Sequence, residues 1–412
     1  MGLTERAGRL AVFGLIIAGM TLCLVRDPGT GDVAFSISWI TRMPPVGPFA
    51  GYGLIVPVHD LGVNYPPLSI LALWASLRLG AMAGLSEVLS YKTGVALFTL
   101  VSVLLVLRRE RSVERAGLLF VLTAPFGLLL GYYDVVYLPF FLIALWAGMD
   151  GRWGVAGAAL AIASLVKWQP LILAPVFAIG MLRASRSWPR LGRDAAPVVL
   201  VVAVVLGLFG WEPTWQAFRM ALHNGYLSGQ AVNAGWFVSW VLEAARYGAH
   251  HLLPDGGVDM ILQDIDPAGA VSGPGAMART ALRLLFWGSY VAVMAVFVSG
   301  KATPAAFIRA ALAASLAQFT WNVGVHENHL FVPMIVAYVG WAAEAVPLFY
   351  LWAIGSLAVF NMVAFYGTGE GLGFSRVAGI DGTVLLSMAS VILFFLVCGL
   401  QWKASRGVGS SV

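Results

Sequence analysis

The chain has 412 residues, 59% hydrophobic and 11% charged, with a formal net charge of +5. Soluble domains carry about 25% charged residues, so this chain lacks the polar surface that water-soluble enzymes need. The positive balance is explained by where the bases sit and does not point to a nucleic-acid partner. Apolar runs recur near the length of about 20 residues that crosses a bilayer as a helix, and hydrocarbon requires the backbone to satisfy its own hydrogen bonds. The expected fold class is therefore all-α integral membrane, with residues 1–412 forming one transmembrane domain.

In chain order, the first apolar run is Leu10 to Val25. Apolar runs continue along the whole chain, so it reads as a signal-anchor span rather than a cleaved signal peptide. About twelve spans are expected: 8–26, 90–107, 116–131, 135–149, 153–166, 169–182, 195–211, 282–299, 304–321, 330–344, 346–366 and 383–401. The count comes from the bases. Arg6 and Arg9, the group Arg108, Arg109, Arg111 and Arg115, Arg152, the group Arg183, Arg186, Arg190 and Arg193, Lys301 with Arg309, and Lys403 with Arg406 all flank apolar runs. The positive-inside rule puts these segments in the cytoplasm, so the spans between them come in pairs and both ends of the sequence fall inside. Pro67 to Leu85 is apolar enough to span, but counting it would move Arg108 to Arg115 outside. It is expected as a helix lying in or dipping into the outer interface. Cys23 and Cys398 lie in apolar runs near opposite ends and suggest neither a disulfide nor a metal site.

The outer face then holds 27–89, 131–134, 166–169, the long loop 212–281, 322–329 and 367–382. Fourteen of the 20 acidic residues fall there, so chemistry is expected on that side. Asp266 to Ala276 is rich in Gly and Pro and reads as a mobile loop.

The candidate residues follow the same order. Asp32 opens a short helix right after the first span. It reads as a helix N-cap and, compatibly, as a general base at the water–lipid boundary. Arg42 lies at the end of that helix, and Asp60 precedes the run Asn64-Tyr65-Pro66-Pro67-Leu68, whose prolines start the next helix. Asp134 sits in an outer turn as a helix cap or a sugar contact. Lys167, beside Trp168 and Gln169, breaks the positive-inside pattern; it is either a snorkelling lysine or, with Arg42 and a histidine, a cationic contact for a lipid phosphate. The turn before the tenth span reads His326-Glu327-Asn328-His329. Ionisable groups there are expensive and suggest function. The spacing is poor for a metal, so phosphate contact through His326 or His329 is the preferred reading.

An acidic residue in the first outer loop, YPPL, a lysine hairpin and a late VHE, in that order, resemble the GT-C superfamily of glycosyltransferases. The closest likeness is to the branch of ER glucosyltransferases that extend lipid-linked oligosaccharide, and to its bacterial relatives. The branch's DYPPL matches Asn64 to Leu68 with Asn64 in place of Asp, and its VHEK matches Val325 to Asn328 with Asn328 in place of Lys. Ser228 to Trp236 (SGQAVNAGW) resembles a loop before a membrane helix in bacterial members. The resemblance implies a GT-C-type bundle and an inverting hexosyltransferase. The donor would be a polyprenyl-phosphate sugar, the acceptor a lipid-linked or glycan hydroxyl, and neither metal nor other cofactor would be needed. Asp32 would be the base, with Lys167, Arg42, His326 and His329 on the donor phosphate. Asp60, Asn64, Tyr65, Asp134, Gln169, Glu327 and Trp236 would contact substrate. Ala/Gly/Arg-rich usage favours a bacterial inner membrane with a periplasmic site, with the ER membrane as the alternative. A secondary transporter or flippase is the main rival; such proteins place ionisable residues near mid-membrane and often show repeated halves. A polysaccharide ligase or polymerase and a structural subunit are further alternatives.

Overall fold

The computed structural model describes residues 3–185, 187–222, 227–247, 273–366 and 382–405. Among them the chain is almost entirely helical. The first 110 residues contain α1 (Leu3–Leu24), α2 (Gly31–Thr41), α3 (Pro48–Ile55), a 3-10 turn at His59–Leu61, α4 (Pro67–Met82) and α5 (Glu87–Glu110). There follow α6 (Val113–Ala124), a π-helical turn at Pro125–Leu129, α7 (Asp134–Met149), α8 (Trp153–Val166), a 3-10 turn at Gln169–Leu173, α9 (Ala174–Ala184) and α10 (Trp188–Phe209). The rest is α11 (Trp211–Leu222), α12 (Ala234–Tyr247), α13 (Pro274–Ser299), α14 (Pro304–Trp321), a 3-10 turn at Glu327–Leu330, α15 (Phe331–Ala342), α16 (Leu348–Tyr366) and α17 (Gly382–Ser405). Two-residue strands β1 (Ser228–Gly229) and β2 (Val325–His326) pair in parallel.

Every one of the twelve apolar segments expected to span is occupied by helix. Four helices, α5, α10, α13 and α17, are individually long and apolar enough to cross a membrane. Two expectations need correction. The stretch 212–281 is not simply loop: it holds α11 and α12, and α13 starts at Pro274, ahead of the expected 282. Pro274 to Ala276, assigned by composition to a mobile loop, therefore forms the first turn of a helix, where proline is tolerated because its missing N–H has no intrahelical partner. Residues 223–226, 248–272 and 367–381 lie outside the described residues.

The chain forms two compact units. The first comprises Met1–Ala144, Gly154–Leu171 and Arg193–Ala221; the second comprises Leu145–Trp153, Ile172–Gly192 and Leu222–Val412. In the first, α1 packs on α6, and α5 packs on α4 and α6. Small residues let α4 approach α5: a Cβ on Gly80 would fall 2.0 Å from the Ser90 hydroxyl, and one on Gly94 would fall 2.1 Å from that of Ser76. Serines start the helices flanking Arg111. Ser86 accepts from the Leu89 N–H at 3.4 Å and Ser112 from the Arg115 N–H at 3.1 Å. Arg9 pairs with Glu114, and Arg115 with Glu110 at 2.5 Å.

In the second unit α14 is the central helix. Ala310, Ala311, Ala313, Ala314 and Ala317 are all buried, and their small side chains let α13, α15 and α17 pack around it. Trp153 and Phe177 close edge-on over Phe307 at the start of the same helix, at 5.4 and 5.0 Å.

Candidate functional site

Two clusters of polar groups stand out, one in each unit. The first is built around the ends of α2, α7 and α8. Thr30 precedes α2, and its N–H donates to the Leu130 carbonyl at 2.9 Å, docking the start of α2 on the turn before α7. That turn needs Gly131. Its φ is +79°, and a Cβ there would sit 2.4 Å from Val33 Cγ2. Asp32 is thus held in the first turn of α2. It is not the N-cap expected from sequence: Thr30 occupies that position, and the helix begins at Gly31. Asp32 keeps an exposed surface while the protein crowds its carboxyl. That crowding raises its pKa above the usual carboxylate range, against the opposing pull of Lys167.

Lys167 follows α8 and is buried, as is Asp134 at the start of α7. Its Nζ donates to Asp134 Oδ2 at 2.6 Å. The ammonium also lies over the Tyr65 ring, with Nζ 5.3 Å from that ring's centre. Burial alone would depress the Lys167 pKa, but Asp134 and Tyr65 outweigh it and the pKa is raised. Lys167 therefore does not snorkel. It is the cationic half of a buried ion pair, a reading no spacing rule could give because its partner lies 33 residues away.

Tyr65 is fixed from several sides. Its carbonyl accepts from the Tyr52 hydroxyl at 3.1 Å, and its ring lies 5.0 Å from that of Trp39. The Asn64 carbonyl accepts from the Trp168 indole N–H at 2.9 Å, so YPPL and the lysine hairpin are joined. Gln169 Oε1 accepts from the Tyr137 hydroxyl at 3.3 Å. Burial and the nearby carboxylates of Asp134 and Asp32 raise the Tyr65 phenol pKa, against Lys167. The structure thus gathers Asp32, Asn64, Tyr65, Asp134, Lys167 and Gln169. Arg42 lies elsewhere. Arg42 is exposed at the far end of α2, roughly 15 Å along the axis from Asp32 at 1.5 Å per residue. Asp60 is exposed in the 3-10 turn that Leu61 ties to Trp39 at 2.8 Å.

Sequence reasoning missed Lys92, Tyr91, Tyr133 and Tyr137. Lys92 is fully buried in α5 and donates to the Leu129 carbonyl at 2.9 Å, meeting the carbonyl end of the π-helical turn. Tyr91 donates to the Gly131 carbonyl at 2.7 Å and Tyr133 to that of Ser69 at 3.1 Å. A lysine inside an apolar run was the available signal for Lys92.

The second cluster is the His326–His329 turn. Ser228 and Gly229 pair with Val325 and His326. Gly229 must lack a side chain, since a Cβ there would fall 2.6 Å from His326 Nδ1. Gln230, bridged to His326, adopts φ +59°, sparsely populated for a residue with a Cβ. Glu327 and Asn328 are buried, while the His326 side chain is 40% exposed. His326 Nδ1 lies 3.9 Å from Glu327 Oε2, and the two imidazole rings are 5.8 Å apart. Gln318 Nε2 and His329 Nδ1 are 3.3 Å apart.

Neutral side chains hold this turn. Asn361, in α16, donates to the Glu327 carbonyl at 2.8 Å and accepts from the Val232 N–H at 2.9 Å. Asn233 donates to the Phe319 carbonyl at 3.0 Å and accepts from the Trp236 N–H at 3.0 Å. The Trp236 indole donates to Thr383 at 2.9 Å from a fully buried position, so Trp236 packs as a support and does not present its ring. Asn361 and Gln318 escaped the sequence reading, although an amide in an apolar helix is a signal that could have found them. Among the described residues no three His, Cys, Asp or Glu side chains group so as to hold a metal ion. Neither models of known protein families nor curated protein sequences give any match to this chain.

Proposed function

We propose that the protein is an inverting glycosyltransferase. It moves a sugar from a polyprenyl-phosphate donor to an acceptor hydroxyl at the outer membrane face, within a bundle of about twelve spans. The observation that carries this reading is Asp32: an exposed carboxylate, desolvated by its surroundings, in the field of a buried cation. Such a group is poised to take a proton from a hydroxyl as that oxygen attacks an anomeric carbon. The ordered resemblance of Asp32, Asn64 to Leu68, Lys167 and Val325 to Glu327 to GT-C enzymes supports the same chemistry.

The geometry changes the roles within that reading. Lys167 has its charge balanced by Asp134, so it positions Tyr65 and biases Asp32 and is no longer the first choice for the donor phosphate. His326 and His329 stay candidates for that contact only as the resemblance implies, each to be tested by its own substitution. A bacterial inner membrane with a periplasmic site fits the composition.

The test uses the purified full chain in nanodiscs with a panel of radiolabelled polyprenyl-phosphate hexoses and a lipid extract as acceptor source. Release of free polyprenyl phosphate with transfer of label is expected. Asp32→Asn keeps the shape of the side chain but removes the base, and should lower kcat by about 100- to 10,000-fold with unfolding unchanged. Counterflow of a solute across proteoliposomes without polyprenyl phosphate release would favour the transporter alternative and overturn the proposal.

A further inference from the structure

The exposed surface of α11 is split lengthwise. Trp211 and Trp215, one turn apart, are 60% and 41% exposed, and their rings lie 5.9 Å apart and 6° from parallel. Glu212 and Arg219, seven residues apart, are exposed on the neighbouring strip. Thr214 and Ala217 are buried on the opposite side. The Thr214 hydroxyl donates to the Gly210 carbonyl at 2.7 Å, closing the corner between α10 and α11.

The surroundings of this strip are equally apolar. α10 leads into it with Val199, Leu200, Val204 and Leu208 all exposed, and buries only Val205 and Phe209. A long apolar helix so little covered by protein needs hydrocarbon around it. Phe49 of α3 is exposed beside it, with its ring 5.0 Å from that of Phe209. The aromatic strip also runs inward. Trp215 lies 5.6 Å from Phe218, and Phe218 lies 5.0 Å from Trp168, next in sequence to Lys167.

Indole rings at the end of a lipid-facing helix, with a charged strip alongside, match the chemistry of the headgroup layer, where one edge meets hydrocarbon and the other water. We infer that α11 is an interfacial anchor: Trp211, Trp215 and Phe49 dock in the headgroup layer of a phospholipid bilayer, with Glu212 and Arg219 turned to water. The file Trp215–Phe218–Trp168 then ties the Lys167 cluster to the bilayer boundary. This holds whether or not the protein transfers sugar.

Spin labels test it. The full chain, with Cys23→Ala and Cys398→Ala, carries single cysteines as Trp211→Cys, Glu212→Cys, Trp215→Cys or Arg219→Cys in phosphatidylcholine–phosphatidylglycerol nanodiscs. Collision rates with oxygen and with an aqueous nickel chelate are compared. The oxygen-to-nickel ratio should be severalfold higher at 211 and 215 than at 212 and 219. Equal nickel access at all four positions would leave the strip in water and overturn the anchor; shielding of 211 and 215 from both reagents would mean a protein covers it and would overturn it equally. A label-free check guards against a cysteine that perturbs the fold. The fluorescence lost in Trp211→Phe and Trp215→Phe should be the part of the wild-type signal that lipids brominated near the headgroup quench. A lost component that those lipids leave unquenched counts against the anchor.

Discussion

The two polar clusters place ionisable groups in an apolar chain by opposite means. In the first, full charges oppose each other: the Asp134 side chain has no exposed surface and that of Lys167 is 9% exposed, and they meet at 2.6 Å beside the Tyr65 ring. In the second, neutral amides and a hydroxyl do the holding. Asn361, Asn233 and Thr383 fix the backbone and Trp236 around a turn whose histidines keep an accessible edge. Charge holding charge couples the first cluster to proton occupancy, so its properties should move with pH and with any change of charge. Amide holding backbone fixes shape, so the second should respond to lost hydrogen bonds.

Removing one side of the charged pair breaks this comparison most directly. Lys167→Met leaves the Asp134 carboxylate buried without its cation. Breaking a buried pair from one side costs about 3–5 kcal/mol, whereas replacing both partners is often neutral. The denaturant midpoint in mixed micelles should therefore fall sharply for Lys167→Met and recover for Lys167→Met with Asp134→Asn. If the double variant is as unstable as the single one, the two residues are not a coupled pair and the contrast between the clusters disappears.

The neutral cluster should yield a smaller effect. Asn361→Leu keeps a side chain of similar bulk but strands the Val232 N–H and the Glu327 carbonyl. A buried polar group left unsatisfied costs about 1–3 kcal/mol, so the stability loss should lie below that of Lys167→Met. The signature of a shape role is local: amide exchange at Val232 should accelerate, while exchange near Tyr65 stays as in wild type. Unchanged exchange at Val232 would mean that water substitutes for the amide.

These contrasts also mark what was legible beforehand. Apolar run length was enough to locate helix in all twelve expected segments, because a backbone surrounded by apolar side chains satisfies its hydrogen bonds locally as helix. The first-loop helices could be read from Gly31 to Arg42 and from the proline pair. Partnerships were hidden. Asp134 and Lys167 were each recognised, but as separate substrate contacts, because a pairing across 33 residues leaves no periodic trace. Asp32 was placed two positions off, since Thr30 takes the N-cap, docked on the Leu130 carbonyl. Asn361 lay in the open, an amide within Leu348 to Tyr366, and was passed over because its run reads as an ordinary span.

The smallest expected effect is also the most specific to the charged cluster. A base must be ionised, so activity should be lost as pH falls through the pKa of Asp32, and crowding places that acidic limb above the ordinary carboxylate range. The sign for stability is opposite. A carboxyl whose folded pKa exceeds its unfolded value binds more protons when folded, so its contribution to stability rises as pH falls through that window. Loss of activity on the acidic limb should therefore precede unfolding. Around Asp32, Lys167 favours the ionised form, while Tyr65 and Tyr91 share its field. Lys167→Met removes that help and the cation that offsets Asp134, so the limb in kcat/KM should move to higher pH. Adding Asp134→Asn removes the opposing charge and should bring it part of the way back. A limb that stays in place in both variants would mean that the titrating base is not Asp32, and Asp60→Asn would be the next variant to profile.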